Sequence, residues 1–120
     1  MNETYFFDTY AIIEIFKGNP NYQPYTNANI ILTKLNLFEL YYFLIKSLDI
    51  NKATQEFNKY TNLILDFDNL VIITAAKLKL KNRDLSMTDC IGYTLACQLG
   101  MKFLTGDKEF EKLDNVEYVK

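Results

Sequence analysis

Apolar residues in this chain alternate between short unbroken runs and longer stretches that repeat every three or four positions. Runs at residues 4–8, 30–32, 102–105 and 116–119, with a further short strand around 63–67, read as buried strands. Between them, helical spacing appears first at Ala11, Ile12, Ile15 and Phe16, stopping near Gly18-Asn19-Pro20. Residues 18–29 are polar and Pro-, Asn- and Tyr-containing, which predicts a loop with a helical turn. Leu37, Leu40, Tyr41, Leu44 and Leu48 predict a helix with Asn36 as its cap. Another is expected from Asn51, with Ala53, Phe57, Tyr60 and Leu63. Asp68 or Asn69 opens the next, with Leu70, Ile73, Ala76, Lys77 and Leu80 on one side. Ser86 and Thr88 precede a long helix through Asp89, Ile91, Leu95, Ala96 and Leu99, which Gly100 ends. A short helix follows at 108–113. Strands alternating with helices predict an α/β fold, a mostly parallel sheet of four or five strands flanked by helices. No repeat or linker divides residues 1–120, so one domain is expected.

Composition narrows the chemistry. With 49% hydrophobic and 23% charged residues in 120, the chain can build a sizeable core. Its net charge of −2, from 13 basic and 15 acidic residues, provides no general basic field for nucleic acid. A nuclease with a carboxylate-rich site can still be acidic overall, because a bound metal reverses the local sign. Histidine is absent, which excludes Ser-His-Asp and Cys-His catalysis and almost all catalytic zinc sites. No phosphate-cradling GxxxxGK[ST] or GxGxxG occurs. Apolar runs fall well short of the roughly 20 residues a membrane span needs. Glu3 and Asp8 interrupt any signal-like start, so a cytoplasmic location is expected. Cys90 and Cys97 would share one helix face about 10 Å apart in rise, too far for a disulfide. Both are expected to be buried core thiols.

Four acids stand where apolar segments meet their flanks. Asp8 and Asp107 end strand-like runs, and a parallel sheet gathers such ends along one edge. Asp89 falls in the first turn of its helix, a favourable place for a carboxylate even without function. Glu39 lies between Phe38 and Leu40, beside an apolar helix face. Singly, each has a plain reading: helix-end acid, strand-end cap or solvated side chain. Gathered without basic partners, they would repel one another unless a hard divalent cation joined them. The basic run Lys77, Lys79, Lys81 and Arg83 reads as a solvated helix end, with a phosphate-contacting edge as the alternative. Arg83 is the sole arginine, so no cluster of bidentate phosphate clamps exists. Tyr22, Tyr25, Tyr41, Tyr42 and Tyr60 fit core or interface packing better than base stacking.

Several segments, in order, resemble those of the PIN-domain nucleases, especially the VapC-like toxins of toxin–antitoxin pairs. They are Phe7-Asp8-Thr9-Tyr10-Ala11-Ile12-Ile13-Glu14, Asn36-Leu37-Phe38-Glu39-Leu40, Leu85-Ser86-Met87-Thr88-Asp89-Cys90-Ile91 and Leu104-Thr105-Gly106-Asp107-Lys108-Glu109-Phe110. The resemblance implies a PIN-like, Rossmann-like sandwich and a metal-dependent endoribonuclease using Mg²⁺ or Mn²⁺ on RNA phosphodiesters. Asp8, Glu39, Asp89 and Asp107 match the metal-site acids, and Thr105 and Thr9 match hydroxyl positions beside them. It also implies an antitoxin partner and a homodimer, with the helices bearing Tyr41-Tyr42-Phe43 and Phe57 as a candidate interface. Two positions depart from the pattern: Tyr10 stands where a small or amide residue is usual, and Cys90 replaces a common alanine. A non-catalytic PIN-like module binding RNA or protein is the rival from another class. A housekeeping RNA-processing nuclease would use the same residues. A phosphoacceptor receiver domain would want an acid pair after the first strand, where Tyr10 and Ala11 stand.

Overall fold

β1 (Thr4–Phe7) runs through the middle of the sheet, since Tyr5, Phe6 and Phe7 are all buried and tolerate cover on both faces. The structure, a computed structural model, describes residues 2–120. α1 (Thr9–Lys17) and a 3-10 helix (Pro20–Tyr25) lead from β1 to β2 (Asn29–Ile31). Then come α2 (Lys34–Ser47), α3 (Ile50–Asn58), α4 (Asn69–Lys81) and α5 (Met87–Leu99). β3 (Lys102–Thr105), a 3-10 turn (Lys108–Phe110) and β4 (Val116–Tyr118) complete the described order. The four strands pair in the order β2-β1-β3-β4, all parallel, with Phe6 opposite both Ile31 and Phe103. This is the expected helix-flanked α/β sheet.

Strand alternation sorts the core into two halves. Tyr5, Phe7 and Leu104 join Ile12, Tyr22, Leu40 and Leu44 on one face. Phe6 and Phe103, stacked at 5.6 Å between ring centroids, join Val71, Leu95 and Phe110 on the other. Parallel strands thus all point their carboxyl ends to one edge, and β1 and β3 are neighbours there. Among the described residues no helix is long and apolar enough to cross a membrane.

Several local expectations change. The run at 63–67 forms only a single parallel bridge, Leu32 to Ile64, held by Leu32 N to Leu63 O and Leu65 N to Leu32 O. β1 stops at Phe7, and Asp8 takes the N-cap position of α1. Thr33, not Asn36, caps α2; Asn36 is the third helical residue and closes a capping box with Thr33. α3 ends at Asn58, before Tyr60 and Leu63. On α4 the expected apolar side is the wrong one: Leu70, Ile73 and Leu80 are exposed, while Val71 and Ala75 are buried against α5. α4 carries apolar residues at every angle, so periodicity could not single out a face. Cys90 is buried but Cys97 is exposed, because α5 overruns the core in its last turn.

Candidate active site

Asp8 begins the site because its side chain does not do what its position suggests. It occupies the N-cap of α1, yet makes no side-chain capping bond. Instead Asp8 Oδ2 accepts a hydrogen bond from Thr105 Oγ1 at 2.7 Å, and Asp8 N donates to Leu104 O at 3.0 Å. Both side chains are buried, Asp8 at 4% exposure and Thr105 at 0%. Thr105 Oγ1 in turn accepts from Asp107 N at 3.0 Å, and Asp107 Oδ1 accepts from Glu109 N to cap the following 3-10 turn. The carboxyl ends of β1 and β3 are therefore joined through one hydroxyl.

The residue after Asp8 ties in α2. Thr9 Oγ1 donates to Glu39 Oε1 at 2.7 Å and accepts from Asn36 Nδ2 at 3.1 Å. Asn36 Oδ1 accepts from the Thr33 backbone N at 3.0 Å and from Thr33 Oγ1 at 2.9 Å. Thr9, Thr33 and Asn36 are buried and mutually satisfied, so they fix the half-buried Glu39 carboxylate relative to β1. Asp89 is held locally: its Oδ2 accepts from Ser86 N, and its own N donates to Ser86 Oγ, both at 3.0 Å.

Charge links what hydrogen bonds do not. Burial raises the pKa of Asp8 to about 8, with Asp89, Glu39 and Asp107 pushing the same way against the Thr105 hydrogen bond. Burial likewise raises Asp89, joined by repulsion from Asp107 and Glu39, while its bonds with Ser86 lower it. Among the described residues the ion pairs are Lys17–Glu14 and Lys59–Glu56, neither touching these acids. No three of the carboxylates stand close enough, as the side chains lie, to cage an ion. Repulsion acts over longer distances than coordination, so the acids sense one another without forming a cage. The donor set of carboxylates and hydroxyls, with no imidazole or thiolate, suits Mg²⁺ or Mn²⁺.

The sequence-predicted residues fall into three grades of contact. Asp8, Thr105 and Asp107 share direct hydrogen bonds, Glu39 joins through Thr9, and Asp89 joins only through its field. Sequence reasoning missed the roles of Thr33 and Asn36 in holding Thr9 and Glu39. The available signal was Asn36 itself, a polar residue one position from Leu37 and four from Leu40 on the buried side. Of the basic run, Lys79 Nζ donates to Leu85 O at 2.6 Å, just ahead of α5. Lys79 and Arg83 border an apolar groove of about 780 Å³ between α4 and α5, with Ile72, Leu80 and Met87.

The family model for the PIN domain matches residues 5–116. No curated protein matches the chain in sequence. Among solved structures, VapBC2 from Rickettsia felis bound to a DNA fragment from their promoter is similar at 18% identity and TM-score 0.74, covering 98% of this chain and 99% of that one. A toxin–antitoxin complex from Klebsiella pneumoniae gives 18% and 0.72, covering 93% and 94%. VapBC-1 from nontypeable Haemophilus influenzae gives 20% and 0.70, covering 96% of each chain. At these identities the likeness is one of fold.

Proposed function

The chain belongs to the PIN-domain family, and from that premise we propose that it is a divalent-metal-dependent endoribonuclease, the toxin of a toxin–antitoxin pair. The observation that carries this reading is Asp8, a buried carboxylate whose acidic neighbours raise its pKa further. A folded chain tolerates such a group when a cation completes it.

Asp8, Asp89 and Asp107 would hold Mg²⁺ or Mn²⁺, directly or through water. Bound there, the ion would make water easier to deprotonate and offset charge growing on the phosphoryl and leaving oxygens. Thr105 orients Asp8 by donating to Oδ2, leaving Oδ1 for the ion. Thr9 and Asn36 hold Glu39 through Oε1, so that Oε2 can join the ion or orient the attacking water. The backbone N of Asp107, bonded to Thr105 Oγ1, ties the third carboxylate to the same hydroxyl.

Two exposed apolar surfaces support the protein partners, an antitoxin and a second copy of the chain. Phe38, Tyr42 and Ile45 form one on α2, and Leu70, Ile72, Ile73 and Leu80 form the other on α4. Tyr41 and Phe43 are half-buried beside the α2 surface: Tyr41 packs on Phe57 at 5.3 Å and Phe43 on Phe16 at 6.2 Å. A cytoplasmic setting and a single domain over residues 1–120 complete the reading. Purified protein incubated with structured and unstructured RNAs in Mn²⁺, Mg²⁺ or EDTA, beside Asp8→Asn, tests it. Metal-dependent cleavage lost in the variant is expected. Equal cleavage by both would mark a contaminating activity and contradict the acidic-site mechanism, whereas none by either, with no Mn²⁺ bound in calorimetry, would favour a binding module.

A further inference from the structure

Gly106, between Thr105 and Asp107, is buried and has no positive φ, so space rather than backbone conformation demands glycine there. A Cβ at this position would overlap the Val119 carbonyl oxygen and Tyr10 Cε1, and would sit 2.9 Å from Tyr10 Cζ. The Tyr10 ring therefore lies in contact with the Gly106 backbone. Its support is fixed from behind. Val119 N donates to Thr105 O at 2.9 Å, Val119 O accepts from Tyr22 OH at 2.5 Å, and Tyr22 packs near Tyr10 at 6.5 Å between centroids.

Tyr10 is two residues past Asp8, in the first turn of α1, and Gly106 immediately precedes Asp107. One aromatic ring thus bridges the two turns that carry Asp8 and Asp107. Like charges on those turns push them apart, and packing against a side-chain-free backbone resists that push. We propose that Tyr10 is a positioning residue: its ring, seated on Gly106, fixes the separation of the Asp8 and Asp107 turns so that both carboxylates reach one divalent cation. The inference rests on the metal-site reading above. It also gives a use to a residue larger than the resemblance leads one to expect.

Calorimetric Mn²⁺ titration of the intact protein tests this, with Tyr10→Phe and Tyr10→Ala each made alone and with Asp107→Asn, and melting temperatures recorded beside them. Tyr10→Ala is expected to weaken binding by about 10- to 100-fold, the scale for groups that support metal ligands. Tyr10→Phe keeps the ring and should keep the affinity. With Asp107 already neutralised, Tyr10→Ala should weaken binding no further. A purely structural Tyr10 would lower the melting temperature and leave the affinity of the folded protein unchanged, which would overturn the proposal. Equal losses with and without Asp107→Asn would overturn it too. If Tyr10→Ala fails to fold, Tyr10→Leu carries the same expectations. No Mn²⁺ binding by the unaltered protein would sink the metal site and this inference together, whereas unchanged binding in Tyr10→Ala would remove the inference alone.

Discussion

On one surface of the molecule, Glu3 and Glu117 border a cavity of about 350 Å³ with Tyr5 and Tyr25, and each glutamate accepts a hydrogen bond from one tyrosine, at 2.5 and 2.6 Å. At the carboxyl edge of the sheet, Asp8 accepts from Thr105 and Glu39 from Thr9, at 2.7 Å in each case. The two regions share carboxylates and hydroxyl donors but differ in where the electrostatic strain falls. In the first it falls on the phenols: the hydrogen bond to Glu3 raises Tyr5, and burial followed by the bond to Glu117 raises Tyr25. Both tyrosines are neutral at neutral pH, so that displacement takes nothing from the folded state. In the second it falls on Asp8 itself, which is buried and faces three other acids. Hydroxyl partners suffice for a carboxylate open to water, but a buried carboxylate that faces other acids is costly unless positive charge offsets it.

The largest expected break in this contrast is Asp8→Asn. RNA cleavage should fall by about 10²- to 10³-fold, the scale of removing one preorganised electrostatic group from an active site. Tyr25→Phe should leave cleavage at its original rate in the same assay. Next is Thr105→Val, which strips the hydroxyl that serves both Asp8 Oδ2 and Asp107 N. It should lower stability by roughly 1–3 kcal/mol in denaturant unfolding, because a buried carboxylate loses its donor. Mn²⁺ affinity should drop about 10-fold or more with it.

A pH series sharpens the comparison further. The pKa of Asp8 in the folded protein lies above the roughly 3.9 of an unfolded aspartate. The folded state thus holds the proton more tightly, and ionising Asp8 opposes folding. Its penalty is absent below about pH 4, grows as pH rises, and is complete above the folded value near 8. Metal-free protein should lose stability across that window, and Asp8→Asn should flatten the slope. The smallest effect belongs to the tyrosine cluster: Tyr25→Phe should change stability by only about 1 kcal/mol, since Glu117 can turn to water.

Much of the fold was legible because strand and helix rhythms differ and because glycines mark helix ends. Gly18 and Gly100 both adopt left-handed conformations at the C-caps of α1 and α5. The solvent-facing side of α4 was not legible, since Leu70, Ile72, Ile73 and Leu80 are as apolar as Val71 and Ala75. Only packing against α5 chooses between them. That Asp8 and Asp107 would share the sheet edge followed from parallel pairing, whereas Glu39 and Asp89 sit on helices α2 and α5. What the residues alone could not reveal is the hydrogen-bond chain. Asp8 bonds Thr105 across 97 positions, and Asn36 reaches back 27 to Thr9. Such pairs exist only once the sheet order β2-β1-β3 has brought their elements together.

The most direct test of the central claim, that the acidic edge is strained without a cation, is thermal unfolding at pH 8 with and without Mn²⁺, for the unaltered protein and Asp8→Asn. Without metal the variant should be the more stable by at least about 1 kcal/mol, since one unit of pKa displacement already amounts to that. Mn²⁺ should raise the melting temperature of the unaltered protein and leave the variant nearly unmoved. A variant less stable than its parent without metal, or equal stabilisation of both by Mn²⁺, would contradict the account.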